Sequence, residues 1–369
     1  MKIIHIALGK ANPERMNGVN KVVHQLANTQ AGLGYDVTLW GIANDLEHTY
    51  PDRKFKTVLF QQQKNKQVDA TLKSAIKALP KETRVHIHGA FILEFYQISR
   101  LLLKANIPYT FTPHGSFVEA AMQKNKWVKK VYFELLEKRV IKDASAIQLL
   151  GINEFTHLDK LVATDNKQLI PNGIDLQKIP TLPRTNEKEM VFGFCGRLDT
   201  YHKGLDLMLK GFQLFLHTGG KGRLELIGDG KDKPKLMELA KKLGIDHKVV
   251  FHGALFGLSK FQTLRTFDLF LHTSRMEGFP MAVLEAAALS IPCLTSDSTN
   301  INSYIKDYQA GFPLTTNTPF SIASAMLDTL FHYRENKLQN IGQQARQMVE
   351  ECFDWTTIAK QLIEVYRTA

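Results

Sequence analysis

The sequence predicts an α/β protein of two domains, each built on a parallel sheet wrapped by helices. Three observations predict it. At 369 residues the chain is too long for one typical domain and sufficient for two, each burying its own core. Short apolar runs bounded by turn residues alternate with longer stretches of helical period, as in strand–helix–strand units. A polar segment, residues 176–189 with Pro180 and Pro183, interrupts this alternation before a fresh strand opens at Met190. The domains are therefore expected at 1–175 and 176–354, with residues 355–369, including Trp355 and Leu362, crossing back to brace the first.

Composition narrows the function classes. Hydrophobic content of 44% and charged content of 22% are ordinary for a globular protein, and no apolar run approaches the roughly 20 residues that span a bilayer. The start, MKIIHIAL, lacks a small-residue cleavage site and reads as a first buried strand, so a cytoplasmic location is expected. Three widely spaced cysteines, Cys195, Cys293 and Cys352, suggest neither a disulfide framework nor a cysteine metal cluster. Residues 1–180 hold 25 basic and 16 acidic residues, a net +9 of the chain's +11. That half is expected to face something negative. No nucleic-acid module or aromatic-basic platform accompanies the charge, which favours an anionic membrane surface or a phosphorylated acceptor.

Along the first half, Lys2–Leu8 reads as a strand, Val19–Gly32 as a helix and Tyr35–Trp40 as the next strand. Gly18 stands near the helix start, where a missing side chain lets a ligand approach the backbone. Arg84–His88 is a strand with His86 and His88 on one face. A metal is not expected there, because no third ligand stands at a matching spacing. Tyr109–Thr112 is a strand ending in Pro113-His114-Gly115-Ser116-Phe117, which places His114 at a carboxyl edge. Lys124–Lys142 then reads as an amphipathic basic helix with seven basic and two acidic residues and an apolar face of Trp127, Val131 and Leu135. Such a helix suits anionic lipid, or packs its apolar side on its own domain. Asn172-Gly173 is a turn signal.

In the second half, Met190–Cys195 leads to Gly196-Arg197-Leu198-Asp199, then Lys203-Gly204 and a helix carrying Leu205, Leu209 and Phe212. Two cations bracketing a strand-to-helix loop suit a diphosphate, Arg197 as a fork and Lys203 as a point charge. Arg223–Gly228 and Lys248–His252 are further strands, and Gly253–Gly257 is expected near a nucleotide base. Phe267–Leu271 is a strand, followed by a polar loop with Arg275 and Glu277. Gly278-Phe279-Pro280 opens a helix, Met281–Leu289, and Ile291–Leu294 is the next strand. Pro280 suits the first helical position, and the amides around Gly278–Met281 form an anion site at the helix N-terminus. Glu285 is the lone carboxylate of an otherwise apolar helix and needs a partner, for which sugar hydroxyls would serve. The order carboxylate, anion site, carboxylate fits a nucleotide sugar.

The segment E-G-F-P-M-A-V-L-E resembles the E-x7-E motif of the retaining family 4 glycosyltransferases. TPHGSF resembles their H-G loop, G-R-L-x-x-x-K-G their diphosphate-binding Arg/Lys pair, and P-N-G-I-D the string that ends their first domain. The resemblance covers essentially the whole chain, in order. It departs at Asn17, where the family usually has a first glycine. It implies the GT-B fold, two facing Rossmann-like domains with parallel sheets and a central cleft, closing by a hinge near 176–189.

By that resemblance His114, Glu277, Arg197 and Lys203 are catalytic. Gly18, Gly115, Arg197, Lys203, Glu277, Gly278, Phe279, Pro280, Met281 and Glu285 hold the donor, with hexose at Glu277 and ribose at Glu285. Lys124, Lys126, Trp127, Lys129 and Lys130 form the acceptor and membrane side. The expected activity is retaining, metal-independent transfer of a hexose from a nucleotide-diphosphate sugar, UDP favoured over GDP, to a saccharide or lipid-linked acceptor in surface polysaccharide assembly. No cofactor is expected. The alternatives are a nucleotide-sugar epimerase of the same fold and a catalytically silent scaffold.

Overall fold

The computed structural model describes residues 1–12, 18–48, 53–123, 125–183 and 189–368. Asn17, Lys124 and residues 184–188 of the expected linker lie outside the described residues. The chain divides into two compact units, Met1–Gly173 with Trp355–Ala369, and Ile174–Asp354.

The first unit contains a seven-stranded sheet: β1 (Lys2–Leu8), β2 (Asp36–Ala43), β3 (Lys56–Gln61), β4 (Arg84–His88), β5 (Tyr109–Thr112), β6 (Ala146–Leu149) and β7 (Lys167–Leu169). Its order is β3-β2-β1-β4-β5-β6-β7, with every pair parallel. β1 and β2 are buried on both faces and read as near-continuous apolar runs, whereas the edge strands β3 and β7 are partly exposed. The period of two sorts β1 between two cores. Ile4 and Ile6 join Ile87, Phe95, Ile98 and Phe111 on one face. Ile3 and Ala7 meet Val23 and Leu26 of the helix Gly18–Gly32, and Ile358 and Leu362 of the helix Trp355–Thr368, on the other. Gly173 has no side chain because a Cβ there would overlap Trp355.

The second unit contains β8 (Met190–Cys195), β9 (Gly222–Ile227), β10 (Val249–Gly253), β11 (Leu269–His272), β12 (Cys293–Thr295) and β13 (Gly311–Pro313). Again all pairs are parallel, in the order β10-β9-β8-β11-β12-β13. Gly193 of β8 makes room for Phe267, where any Cβ would overlap the ring. The chain enters and leaves this unit side by side, through a parallel bridge between Ile174 and Asp354 and an Ile174 N–H donating to Phe353 O at 2.7 Å. In each sheet the strand order reverses once, at β1/β4 and at β8/β11, which places the ligand-binding crevice of an open α/β sheet at the carboxyl ends of those strands.

The expected basic helix is broken into three pieces. Lys126–Tyr132 is α-helical, Phe133–Glu137 forms a π turn, and Lys138–Asp143 is α-helical again. The π turn brings Phe133 and Glu137 inward, where the Phe91 N–H donates to Glu137 Oε1 at 3.1 Å. Trp127, Val128, Val131 and Leu135 stay exposed, Trp127 at 74%. This face does not pack on its own domain. Among the described residues no helix is long and apolar enough to cross a membrane.

Candidate active site at the crevice of the second unit

The loops after β8 and β11 meet at the second unit's crevice, and glycine is what lets them meet. Gly204 sits at φ +63° against Thr273 O, where a Cβ would overlap the carbonyl. Thr273 Oγ1 in turn donates to Gly204 O at 3.2 Å. Lys203 is thereby carried beside Glu277, and its ammonium donates to Glu277 Oε2. His272, the last residue of β11, reaches the same oxygen from Nε2 at 3.0 Å. Burial would push the Glu277 carboxyl up, but Lys203 and His272 outweigh it and hold it at about 2. Burial lowers the His272 pKa, so the neutral imidazole acts as donor and Glu277 as carboxylate.

Arg197 projects from the same loop, its side chain 66% exposed and its Nη2 3.8 Å from Asp199 Oδ2. Its guanidinium is open to an anion in solvent, whereas the Lys203 ammonium is engaged by Glu277. Arg275 takes a different place: it forks onto Asp206 at 2.7 and 2.8 Å and ties the β11 loop to the helix Leu205–His217. The Asn300 amide donates to Gly278 O at 2.6 Å and shapes the turn before the next helix.

That helix runs Met281–Ala288 with Pro280 at its N-cap rather than at its first helical position. Gly278 and Phe279 offer N–H groups with no backbone acceptor among the described residues, whereas Met281 N donates to Phe279 O at 3.1 Å. Phe279 is buried against Phe353. Glu285 is not a lone carboxylate: Lys260, from the helix Gly257–Leu264, donates to its Oε1 at 2.7 Å. The lysine lies in the loop-helix region after β10, where Phe256 and Leu258 are exposed.

In the first unit, Gly18 begins its helix and a Cβ there would meet nothing within 4 Å, so the backbone is open to approach. His114 follows β5 at φ +53°, a left-handed conformation uncommon outside glycine, and Gly115 follows at φ +80°. Glu154, wholly buried, accepts the Phe117 N–H at 3.2 Å and pins this loop from behind. Burial raises its pKa to about 7. The face of basic residues is only partly free: Lys126 and Lys130 are exposed. Lys129 instead turns inward, donating to Ala121 O at 2.7 Å and lying over the Phe91 ring.

The sequence offers no third partner for His86 and His88 at a regular spacing, yet one stands in the structure. The parallel register of β1 on β4 sets His5 opposite His86, and one ring nitrogen from each of His5, His86 and His88 lies within 4.8 Å of the others, all three residues being buried. Cross-strand register brings them together, a relationship that spacing along the chain does not display.

With the geometry in place, comparison with known proteins is decisive. The family model described as Glycosyltransferase Family 4 matches residues 16–178, and that described as Glycosyl transferases group 1 matches residues 177–348. The chain belongs to the group 1, family 4 glycosyltransferases. A similar stretch of 139 residues, 30% identical, occurs in the lipopolysaccharide 1,6-galactosyltransferase of Salmonella typhimurium, covering 37% of this chain and 38% of that one. A sucrose-phosphate synthase from Thermosynechococcus elongatus superposes with a TM-score of 0.79 at 18% identity, over 100% of this chain and 98% of that one. The Anabaena protein HepE, solved with UDP, superposes with a TM-score of 0.75 at 15% identity over 100% of both chains. These neighbours give this glycosyltransferase the GT-B fold, two domains with parallel sheets.

Proposed function

We propose that this glycosyltransferase moves a hexose from a nucleotide-diphosphate sugar, UDP-linked, to a saccharide acceptor, with retention of anomeric configuration, in the assembly of a capsule, O-antigen or exopolysaccharide. One observation carries the reading: Lys203, Glu277 and His272 converge at the carboxyl ends of β8 and β11, and Arg197 stands exposed on the same loop after β8 as Lys203. As the bond to the sugar breaks, negative charge builds on the departing diphosphate. Cations fixed beside it stabilise that charge more than they stabilise the intact donor, and they supply the countercharge without a metal. Glu277 then serves two states in turn. It neutralises Lys203 in the empty site, and when phosphate oxygens take the lysine it is released to accept sugar hydroxyls. Within the first unit His114 is the candidate contact for a sugar hydroxyl, and within the second Glu285 with Lys260 is the candidate contact for the ribose.

The UDP preference draws support from the UDP-bound HepE neighbour. An acceptor at an anionic lipid surface draws support from exposed Trp127, Val128, Val131 and Leu135 beside Lys126 and Lys130.

A donor screen tests the proposal. The pure protein is incubated with UDP- and GDP-sugars, and thermal stabilisation and nucleotide release are followed. One donor should stabilise it and be slowly turned over, with both signals lost in Glu277→Ala and Lys203→Ala. If no nucleotide sugar binds, the scaffold reading replaces this one, and acceptor-independent release of epimerised sugar would make it an epimerase.

A further inference from the structure

Behind His114 lies a chain of buried polar groups that the transfer reaction does not use directly. Its polarity follows from one group that can only accept. The Ile170 carbonyl accepts the Gln148 Nε2–H at 3.0 Å, so Gln148 Oε1 must face Thr112, whose hydroxyl donates to it at 2.8 Å. The Thr112 oxygen therefore accepts from His86 Nε2–H at 2.6 Å. His86 Nδ1, left without a proton, accepts the Tyr366 hydroxyl at 2.6 Å. Tyr366 has spent its proton, so its oxygen accepts the Gln30 amide N–H at 3.4 Å.

Gln30 now presents Oε1 to His5. That oxygen accepts His5 Nε2–H at 2.8 Å, so His5 Nδ1 accepts His88 Nε2–H at 2.9 Å. His88 Nδ1 in turn accepts His114 Nε2–H at 3.1 Å. Each ring fixes the next, since a neutral imidazole has one donor and one acceptor nitrogen. All six ring nitrogens of His5, His86 and His88 are engaged, so the cluster is satisfied by its own hydrogen bonds.

We propose that this network is a tautomer lock, with Gln30, His5, His88, Tyr366, Thr112 and Gln148 as positioning residues that hold His114 with its proton on Nε2 and its Nδ1 bare. The group His114 then receives is a hydrogen-bond donor, a hydroxyl, while acceptor-only groups such as phosphate oxygens are refused. Burial, which lowers the pKa of all four histidines, keeps the rings neutral so that the polarity persists at neutral pH. The sugar hydroxyl as occupant rests on the function proposed above, whereas the tautomer is a property of the empty protein.

The test is therefore made without nucleotide sugar. Protein labelled with 15N histidine is examined by long-range proton–nitrogen correlation at neutral pH, and signals are assigned by single His→Gln variants. His5, His86, His88 and His114 should each show a protonated Nε2 and a bare Nδ1. A His114 protonated on Nδ1, or an even mixture, overturns the proposal. In Gln30→Leu, with its fold verified from the backbone spectrum, His114 should lose its single tautomer, and in Gln30→Glu, which keeps an acceptor for His5, it should retain it. An unchanged His114 in folded Gln30→Leu overturns the lock. Should Gln30→Leu not fold, Tyr366→Phe, which breaks the link between the two arms, replaces it with the same criterion. A failed donor screen leaves this result standing, and a failed lock leaves the donor screen standing.

Discussion

Lys203 and Glu277, 74 residues apart in sequence, share one hydrogen bond at the crevice of the second unit, and the carboxylate oxygen that accepts it also accepts from His272. The ammonium and its counterion are thus held together at the carboxyl ends of β8 and β11, by loops that glycine lets meet.

Replacing Lys203 by Met should weaken UDP binding by one to two orders of magnitude, the roughly 1.5–3 kcal/mol of a charge-assisted hydrogen bond. Titration calorimetry with UDP checks it. The same variant should lose an acid-dependent component of stability. Glu277 is held at about 2 against an ordinary 4.5, so its contribution is present above about pH 4.5 and disappears as pH falls towards 2. Unfolding curves measured across that window should converge for the two proteins at the acid end. Parallel curves would remove the pair from the stability of the fold.

Glu154 predicts the opposite slope. Burial raises its folded pKa to about 7 from 4.5, so the folded state favours the protonated form. Its contribution is fully present below about pH 4.5 and is lost as pH rises through 7. Glu154→Gln, neutral at every pH, should gain roughly 3 kcal/mol over the parent at pH 8 and close to nothing at pH 4. Melting temperatures at the two pH values decide it, and an equal difference at both would refute a titrating Glu154.

Gly204→Ala should cost roughly 2–4 kcal/mol, since a methyl at φ +63° both strains the backbone and collides with Thr273 O. Denaturant unfolding measures it. A neutral effect would mean that the two loops separate freely, and the Lys203–Glu277 geometry with them.

Trp127→Ala and Lys130→Glu should leave the fold within about 0.5 kcal/mol of the parent, because both side chains are exposed. Both should lower binding to anionic vesicles at low salt. Equal binding of the parent to neutral and anionic vesicles would count against a lipid-facing helix.

What could be read in advance followed from covalent order and burial. Met190–Cys195 carries its own signature, because a strand buried on both faces is a short apolar run between turn residues, whereas Arg84–His88 and Tyr109–Thr112 are legible from their period of two. The loops holding His114, Arg197, Lys203 and Glu277 follow those strands directly, so their sheet edge was legible too. Partners supplied by distant segments were not. His5 joins His86 through strand register, Lys203 joins Glu277 through the meeting of two loops, and Lys260 meets Glu285 between two helices. The π turn at Phe133–Glu137 was hidden because the helical period is nearly the same on both sides of it.

The bridge between Ile174 and Asp354 makes the second unit a closed loop of chain inserted into the first. Synthesis from the N-terminus therefore delivers the inserted unit whole before the host is complete. Until Trp355–Thr368 emerges from the ribosome, Ile3, Val23 and Leu26 lack the side chains of Ile358 and Leu362 that bury them, and Gln30 and His86 lack Tyr366. One segment, made after the whole inserted unit, thus supplies both a core layer of the host and the hydroxyl that orients its histidines.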